Sequence, residues 1–361
     1  MPDKSNITVL VAPLDWGLGH ATRCVPLINY LLKKGCKVII AAEGLQKNLL
    51  KNEFPNVIFV DIPGYNIKYT HAKRFFTLKV ALQIPKILII ILSEKRWLNN
   101  FIKNNKIDAV VSDNRFGLFH HKTTSVFITH QLLIKAPFEF LEKKIQKINY
   151  WFVQRFSQCW VPDEKGEINL AGALSHPARL PKIPVKYLGG ISRLERLPET
   201  EKKYDLLIIL SGPEPQRTTL ENKILGEIED FRGKAMIVRG LPGSEDPPAT
   251  KNNLSIRSHL PAKELEKVIN QSDCIISRSG YTTVMDLCKL QKKSILIPTP
   301  GQTEQEYLAI HLQKQGWCVA VSQEDFSLEQ SLQKAKAFDY KLPDLKMETY
   351  KEVLTNFIDQ L

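Results

Sequence analysis

The chain is short of several things, and each shortage narrows what it can be. Acidic residues number 38 against 50 Lys and Arg, leaving a formal net charge of +12 over 361 residues. Such an acid deficit points to anionic partners: nucleic acid, an anionic membrane face or a phosphorylated substrate. The six cysteines, Cys24, Cys36, Cys159, Cys274, Cys288 and Cys318, include no Cys-x-x-Cys pair and no His/Cys metal-ligand spacing. Reduced, buried thiols in a cytoplasmic protein are therefore expected, with no metal site. No apolar run approaches the ~20 residues that cross a bilayer; the longest, ILIIIL, covers residues 87–92. A strand pattern begins close to the first residue, so no signal peptide is expected. Asp-x-Asp, the pair that would hold a metal on a diphosphate, is missing. So is any RNA- or DNA-binding motif, and the basic residues do not gather in one run, which argues against a nucleic-acid binder.

What is present is an ordinary folded composition, 43% hydrophobic and 24% charged, long enough for two domains. Continuous apolar runs of strand length, at residues 7–13, 37–42, 57–60, 108–112 and 125–129, alternate with helical patterns. The same alternation returns at 205–210, 235–239, 254–257, 274–277 and 294–298. Runs apolar throughout belong to parallel sheets covered on both faces, so the expectation is α/β with two Rossmann-like domains. Residues 162–198, rich in Pro and Gly, read as the linker. The expected domains are 1–185, 186–343 and a final helix, 344–361.

The stretch 273–316 organises the rest. Two strands there are each followed by a loop and a helix start. Ser277, Arg278, Ser279 and Gly280 stand where exposed amides and the helix dipole attract phosphate. Asp286, about one turn inside the helix, can reach a sugar hydroxyl, and Thr282 lies between. In the second loop Thr303 and Glu306 fit a capping box, with Gln305 beside them. Phosphate from one loop and hydroxyls from the next is what a nucleotide-sugar requires. In the first half, the strand at 7–13 runs into Asp15, Trp16, Gly17, Leu18, Gly19 and His20. Gly17 and Gly19 allow a ligand close to the backbone, but the third glycine and acidic partner of a dinucleotide fold are missing. His20 sits at a helix start, where the dipole disfavours its protonated form and keeps it available as a base. Asp113, Asn114 and Arg115 end another strand, where Asp113 can orient His20, contact an acceptor or cap the loop.

Two further stretches mix aromatic, aliphatic and basic residues. One runs from 75 to 101 with Phe75, Phe76, Val80, Ile84, Ile87 and Ile91 among Lys73, Arg74, Lys79, Lys86, Lys95 and Arg96. The other, 132–160, carries Phe138, Phe140, Tyr150, Trp151 and Phe152 among Lys135, Lys143, Lys144, Lys147 and Arg155. Such faces suit an anionic inner leaflet, on which a cytoplasmic protein would sit peripherally.

SRSGYTTVMD followed by IPTPGQTEQE resembles the donor half of GT-B glycosyltransferases, in particular glycosyltransferase family 28. The usual ribose carboxylate is shortened to Asp286, and the usual Gln pair becomes Gln305 and Glu306. Gly-x-Gly-His resembles the entry loop of the same fold and of a related sugar-nucleotide hydrolase; Arg23, three residues after His20, has the hydrolase-like spacing. The resemblance implies two domains facing across a cleft, with the last helix crossing back to the first. It implies Arg193, Ser211, Gly212, Arg217 and Arg278 near the diphosphate, the Leu260 main chain near uracil, and Gly17, Gly19, Arg115 and His130 on the acceptor side. The function implied is inverting, metal-independent transfer from a UDP-sugar to an acceptor hydroxyl, lipid-linked or a cell-surface polysaccharide intermediate, with no cofactor. A UDP-sugar hydrolase in which His20 activates water is the alternative, and a basic nucleic-acid-binding protein the remote one.

Overall fold

A computed structural model describes residues 6–65, 83–136, 138–197, 200–247 and 253–361. The basic and aromatic positions from Lys73 to Val80 lie outside these. The described residues fold as two compact units, one formed by those up to 192 together with 346–361, the other by those from 193 to 345.

The first unit is built on a parallel sheet of seven strands: β1 (Thr8–Pro13), β2 (Lys37–Ala41), β3 (Ile58–Val60), β4 (Ala109–Asp113), β5 (Thr124–Ile128), β6 (Gln158–Val161) and β7 (Val185–Tyr187). Their order across the sheet is β3-β2-β1-β4-β5-β6-β7. Val9, Leu10, Val11, Ile40, Val110, Val126 and Phe127 are buried, as the unbroken apolar runs require. Side chains of this size contribute roughly 1.5–3 kcal/mol each when fully buried. Helices α1 (Leu18–Lys33), α2 (Gly44–Glu53), α3 (Ile84–Asn104) and α4 (Glu139–Val153) accompany the sheet.

The second unit repeats the plan in β8 (Tyr204–Ile209), β9 (Ala235–Val238), β10 (Leu254–Arg257), β11 (Ser272–Ser277), β12 (Lys293–Leu296) and β13 (Val319–Ala320), ordered β10-β9-β8-β11-β12-β13. Its helices are α5 (Gln216–Glu227), α6 (Ala262–Asn270), α7 (Tyr281–Lys289), α8 (Thr303–Lys314) and α9 (Leu328–Ala337). In each sheet the strand order reverses at one place, between β1 and β4 and between β8 and β11. That is where open α/β sheets bind ligands, beyond the carboxyl ends of the strands.

The last helix, α10 (Thr349–Ile358), belongs to the first unit. The Tyr30 and Thr355 hydroxyls are 2.7 Å apart, and Phe357 meets Trp160 edge-on with ring centroids 5.0 Å apart. The expected crossing back of this helix is therefore seen. The stretch 162–198 is more than a linker. It holds β7 and the buried Leu170, Leu174, Leu188 and Ile191, all part of the first unit. β6 and β7, of four and three residues, lie outside the strand runs read from the sequence.

Candidate functional site

In the first unit, strand register places Asp113, the last residue of β4, between Pro13 of β1 and Ile128 of β5. Directly after it Asn114 takes a left-handed φ of 56°, a conformation that Asn tolerates better than most side chains, and its N–H donates to the Ile128 carbonyl. The strand end is thus fixed and its carboxylate aimed at the start of α1. Gly17, at φ 90°, caps α1 without a side-chain bond, and no acidic residue occupies the first turn.

His20 and Arg23 lie one turn apart on α1. Arg23 Nε donates to Asp113 Oδ2 at 2.7 Å, and its Nη2 contacts Oδ1. His20 Nδ1 is 3.2 Å from Asp113 Oδ1 and 2.8 Å from Arg23 Nη2. Arg23 Nη1 reaches His130 Nδ1 at 3.1 Å, and Cys24 Sγ lies 3.7 Å from Asp113 Oδ2. Burial alone would raise the Asp113 carboxyl; the charges of Arg23 and His20 overcome it and hold the group well below the usual carboxylate range. Burial lowers His20, and Arg23 and His130 add to that against the opposing pull of Asp113. The imidazole is therefore neutral near pH 7. With the proton on Nδ1 and donated to Asp113, Nε2 carries the free lone pair of a base; with Nδ1 accepting from Arg23, the proton sits on Nε2. The His20 side chain keeps 15% of its surface exposed, so the ring can meet a ligand.

The structure moves two predicted acceptor residues inward. Arg115 is fully buried, donating from Nε to the Pro13 carbonyl and from Nη1 to the Pro63 carbonyl and Glu94. It braces the loop and is in no position to touch an acceptor. His130 is also buried, held between Arg23 and Gln131 behind His20. Conversely, Arg23 stands at the centre of the cluster, although the sequence showed it only as a departure in motif spacing. Its signal was the one-turn separation from His20.

In the second unit, register aligns Ile209, Ser277 and Leu296, so the loops after β8, β11 and β12 emerge side by side. Ser279 Oγ donates to the Gln305 carbonyl at 2.8 Å, and Gln305 Oε1 accepts from the Thr299 amide at 2.9 Å. Gly212, at φ 101°, is exposed, and a Cβ there would lie 3.6 Å from Thr299 Oγ1. That hydroxyl is buried and makes no hydrogen bond. Helix α7 starts from Gly280 with no capping side chain and no acid in its first turn, whereas α8 has Glu304 and Glu306 there. The first helix start suits an anion and the second suits hydroxyl donors. Thr282 and Asp286 are half-buried on α7.

The capping box takes a different form from that expected. Thr303 is already the first helical residue, and Glu306 accepts instead from the Gly301 amide at 3.1 Å. Gly301, at φ 83°, turns the chain sharply enough to bring its N–H to that carboxylate. Two predicted diphosphate contacts are also spent internally. Arg278, 1% exposed, donates to the carbonyls of Gln216, Ile297 and Pro298 and to Gln323 Oε1; burial lowers its guanidinium to about 10. Arg217 is paired with Glu214 and Glu221 and bonded to Thr218. Arg193 is half-buried, and its charge, after burial, helps lower His259, the neighbour of Leu260. Gln216, Thr299 and Gln323 are buried members of this floor that the sequence reading passed over.

The sequence and the fold have counterparts among known proteins. The model of the glycosyltransferase family 28 C-terminal domain matches residues 249–360. A UDP-N-acetylglucosamine–N-acetylmuramyl-(pentapeptide) pyrophosphoryl-undecaprenol N-acetylglucosamine transferase from Clostridium perfringens is 24% identical, covering 94% of both chains. Its counterpart from Buchnera aphidicola is 26% identical over 86% of this chain and 84% of its own. Among solved structures, MurG of Acinetobacter baumannii superposes with a TM-score of 0.54 at 14% identity, covering 98% and 99% of the two chains. The glycosyltransferase of kitacinnamycin reaches 0.64 at 11% identity, covering 100% and 95%.

Proposed function

From the premise that the chain is a GT-B glycosyltransferase resembling family 28, we propose that it transfers a sugar from a UDP-sugar to the hydroxyl of a lipid-linked acceptor in cell-envelope polysaccharide synthesis. The His20–Asp113–Arg23 cluster carries the proposal. His20 Nε2 takes the acceptor's hydroxyl proton as the oxygen bonds to the anomeric carbon, and Asp113 holds the ring and stabilises the imidazolium. The bond from that carbon to the diphosphate breaks, and its electron pair leaves with UDP. Attack from the face opposite the leaving group inverts the anomeric centre. Amides at the start of α7, together with Arg193, face the developing charge, so no metal is called for. The donor is assigned to the second unit, with Ser211, Gly212, Leu260, Ser279, Gly280, Thr282, Asp286, Gln305 and Glu306 as its contacts. The acceptor is assigned to the first, through Gly17 and Gly19.

A lipid-linked acceptor is supported by two helices of the first unit. Ile84, Leu88, Ile89 and Leu92 are exposed on α3; Phe140, Ile148 and Trp151 on α4, with Phe138 just before it. Lys95 and Arg155 stand over the ring of Phe119 at 3.9 and 5.4 Å, and Arg155 covers Trp151 at 3.6 Å. Rings and aliphatic groups beside cations fit an anionic leaflet at the inner face of the membrane. No helix among the described residues is long and apolar enough to cross it.

Thermal-shift measurements with UDP-N-acetylglucosamine, UDP-glucose, GDP-mannose and dTDP test the donor, because a ligand bound only by the native state raises Tm. A shift with uridine nucleotides, abolished in Asp286→Ala, supports the reading; no shift with any uridine nucleotide overturns it. Free sugar released equally fast with and without acceptor would turn the assignment to hydrolysis. Leu88→Ser with Trp151→Ser is expected to reduce sedimentation with phosphatidylglycerol vesicles while leaving the UDP shift unchanged.

A further inference from the structure

Trp16 is a large apolar side chain left 39% exposed in the loop between β1 and α1, four residues ahead of His20. Exposed tryptophan on a mobile turn would collapse onto the nearest apolar surface. Here the surroundings hold it out. Gln46, itself buried, donates through Nε2 to the Asp15 carbonyl at 2.9 Å and the Gly17 carbonyl at 3.3 Å, gripping the backbone on either side of Trp16. The Gly17 amide also returns to the Asp15 carbonyl at 3.0 Å, closing a tight turn around the residue.

Beneath the indole, Tyr65 meets it edge to face, with centroids 6.2 Å apart at 86°. Tyr65 is buried and donates its hydroxyl to Glu94 Oε2 at 2.9 Å. Glu94 is buried too, and accepts in addition from Arg115 Nη1 at 2.8 Å and the Gly117 amide at 3.0 Å. The Tyr65 ring is thus held by a chain of buried polar groups, and the indole rests edge-on against it. Such an investment in the orientation of one exposed aromatic lowers the entropy cost of whatever docks on it.

We propose that Trp16 is the platform on which a pyranose unit of the acceptor stacks, its apolar C–H face against the indole, with a hydroxyl directed to His20. This rests on the reading of the first unit as the acceptor side and sharpens it: the acceptor is a saccharide at its reacting end, and a simple lipid alcohol is a poor substitute. Aromatic rings supply large contact area with a defined geometry at low entropy cost.

The test uses the full chain with UDP-N-acetylglucosamine as donor and two acceptor probes, octyl β-D-glucopyranoside and octanol. Wild-type protein is expected to use the glycoside in preference to octanol. Trp16→Ala should lower kcat/KM for the glycoside by about tenfold or more, mainly through KM, with Trp16→Phe retaining most of it and the UDP thermal shift unchanged in both. Equal kcat/KM in wild type and Trp16→Ala overturns the proposal, as does an equal loss in Trp16→Ala and Trp16→Phe. A second measurement needs no turnover: oxidation of tryptophans by N-bromosuccinimide, read peptide by peptide. Protection of Trp16 by the glycoside and none by octanol supports the platform even if this donor is the wrong one; no protection overturns it. Should Trp16→Ala instead reduce sedimentation with phosphatidylglycerol vesicles and leave glycoside binding intact, the ring is a lipid contact and the proposal falls.

Discussion

The two units use one sheet plan for opposite electrostatic ends. At the switch point of the first, four polar side chains converge: His20, Arg23, Asp113 and His130, each in contact with another. At the corresponding point of the second, two of the expected cations are spent inside the fold. Arg278 is consumed by carbonyls and a glutamine, and Arg217 by carboxylates. What the second unit offers is mostly hydroxyls, amides and a helix start. On the proposed reading the first unit is the place of proton transfer and the second the place of donor binding.

The sharpest way to break that division is to remove the proton acceptor alone. His20→Ala is expected to lower the rate of transfer by about 10²–10⁴-fold, the usual worth of a general base, with the UDP thermal shift intact. Asp286→Ala should do the reverse and abolish the shift. If His20→Ala weakened UDP binding as much as it slowed turnover, the two units would not divide the labour in this way.

Arg278 gives the next largest effect, and it is on stability. Arg278→Met keeps the volume but strips a donor from the Gln216, Ile297 and Pro298 carbonyls and from Gln323. Each buried group left without a partner costs about 1–3 kcal/mol, so a loss of roughly 3 kcal/mol or more in chemical denaturation is expected. A variant as stable as wild type that fails only to bind UDP would restore the guanidinium to the diphosphate.

How far the sequence could see this depends on the kind of signal. The strands that fill both cores were legible because fully buried parallel strands are apolar throughout. The meeting of His20 with Asp113 was legible from their places at a helix start and a strand end. The direction in which a long side chain turns was not. SRSG reads as a phosphate loop whether Arg278 points outward or, as here, into the floor; only the packing of Gln216 and Gln323 from distant segments decides. Glu94 was likewise hidden inside an apolar helix, since its partners Tyr65 and Arg115 are 29 and 21 residues away.

A pH titration separates the units more gently. Burial lowers His20 below its ordinary 6.5, so the unfolded chain takes up that proton first. Stability from this group is therefore lost as pH falls from 6.5 towards the folded value. The transfer rate should fall on the same acid side, with its inflexion below 6.5. Asp113, held below the usual carboxylate range by Arg23 and His20 against the cost of burial, adds stability that persists above pH ~4 and is lost in stronger acid. In His20→Ala the first of these losses should vanish. An acid limb retained in His20→Ala would assign it elsewhere.

Thr299 gives the smallest effect and the finest distinction. Its Oγ1 is buried under Gly212 with no hydrogen-bonding partner, and a hydroxyl in that state costs about 1–3 kcal/mol by mutational measure. Thr299→Val removes the polar atom at constant shape, so the free protein should become more stable, by up to about 1 kcal/mol once imperfect packing is discounted. A fold serving itself alone has no reason to keep such a group. If Oγ1 is instead kept for the donor's diphosphate, the same substitution must shrink the Tm rise produced by UDP while raising the Tm of the free protein. The two changes have opposite signs, which a general loss of folding cannot imitate. A valine variant that is more stable and binds UDP as wild type does would remove Thr299 from the donor site and leave that site to the amides and Asp286.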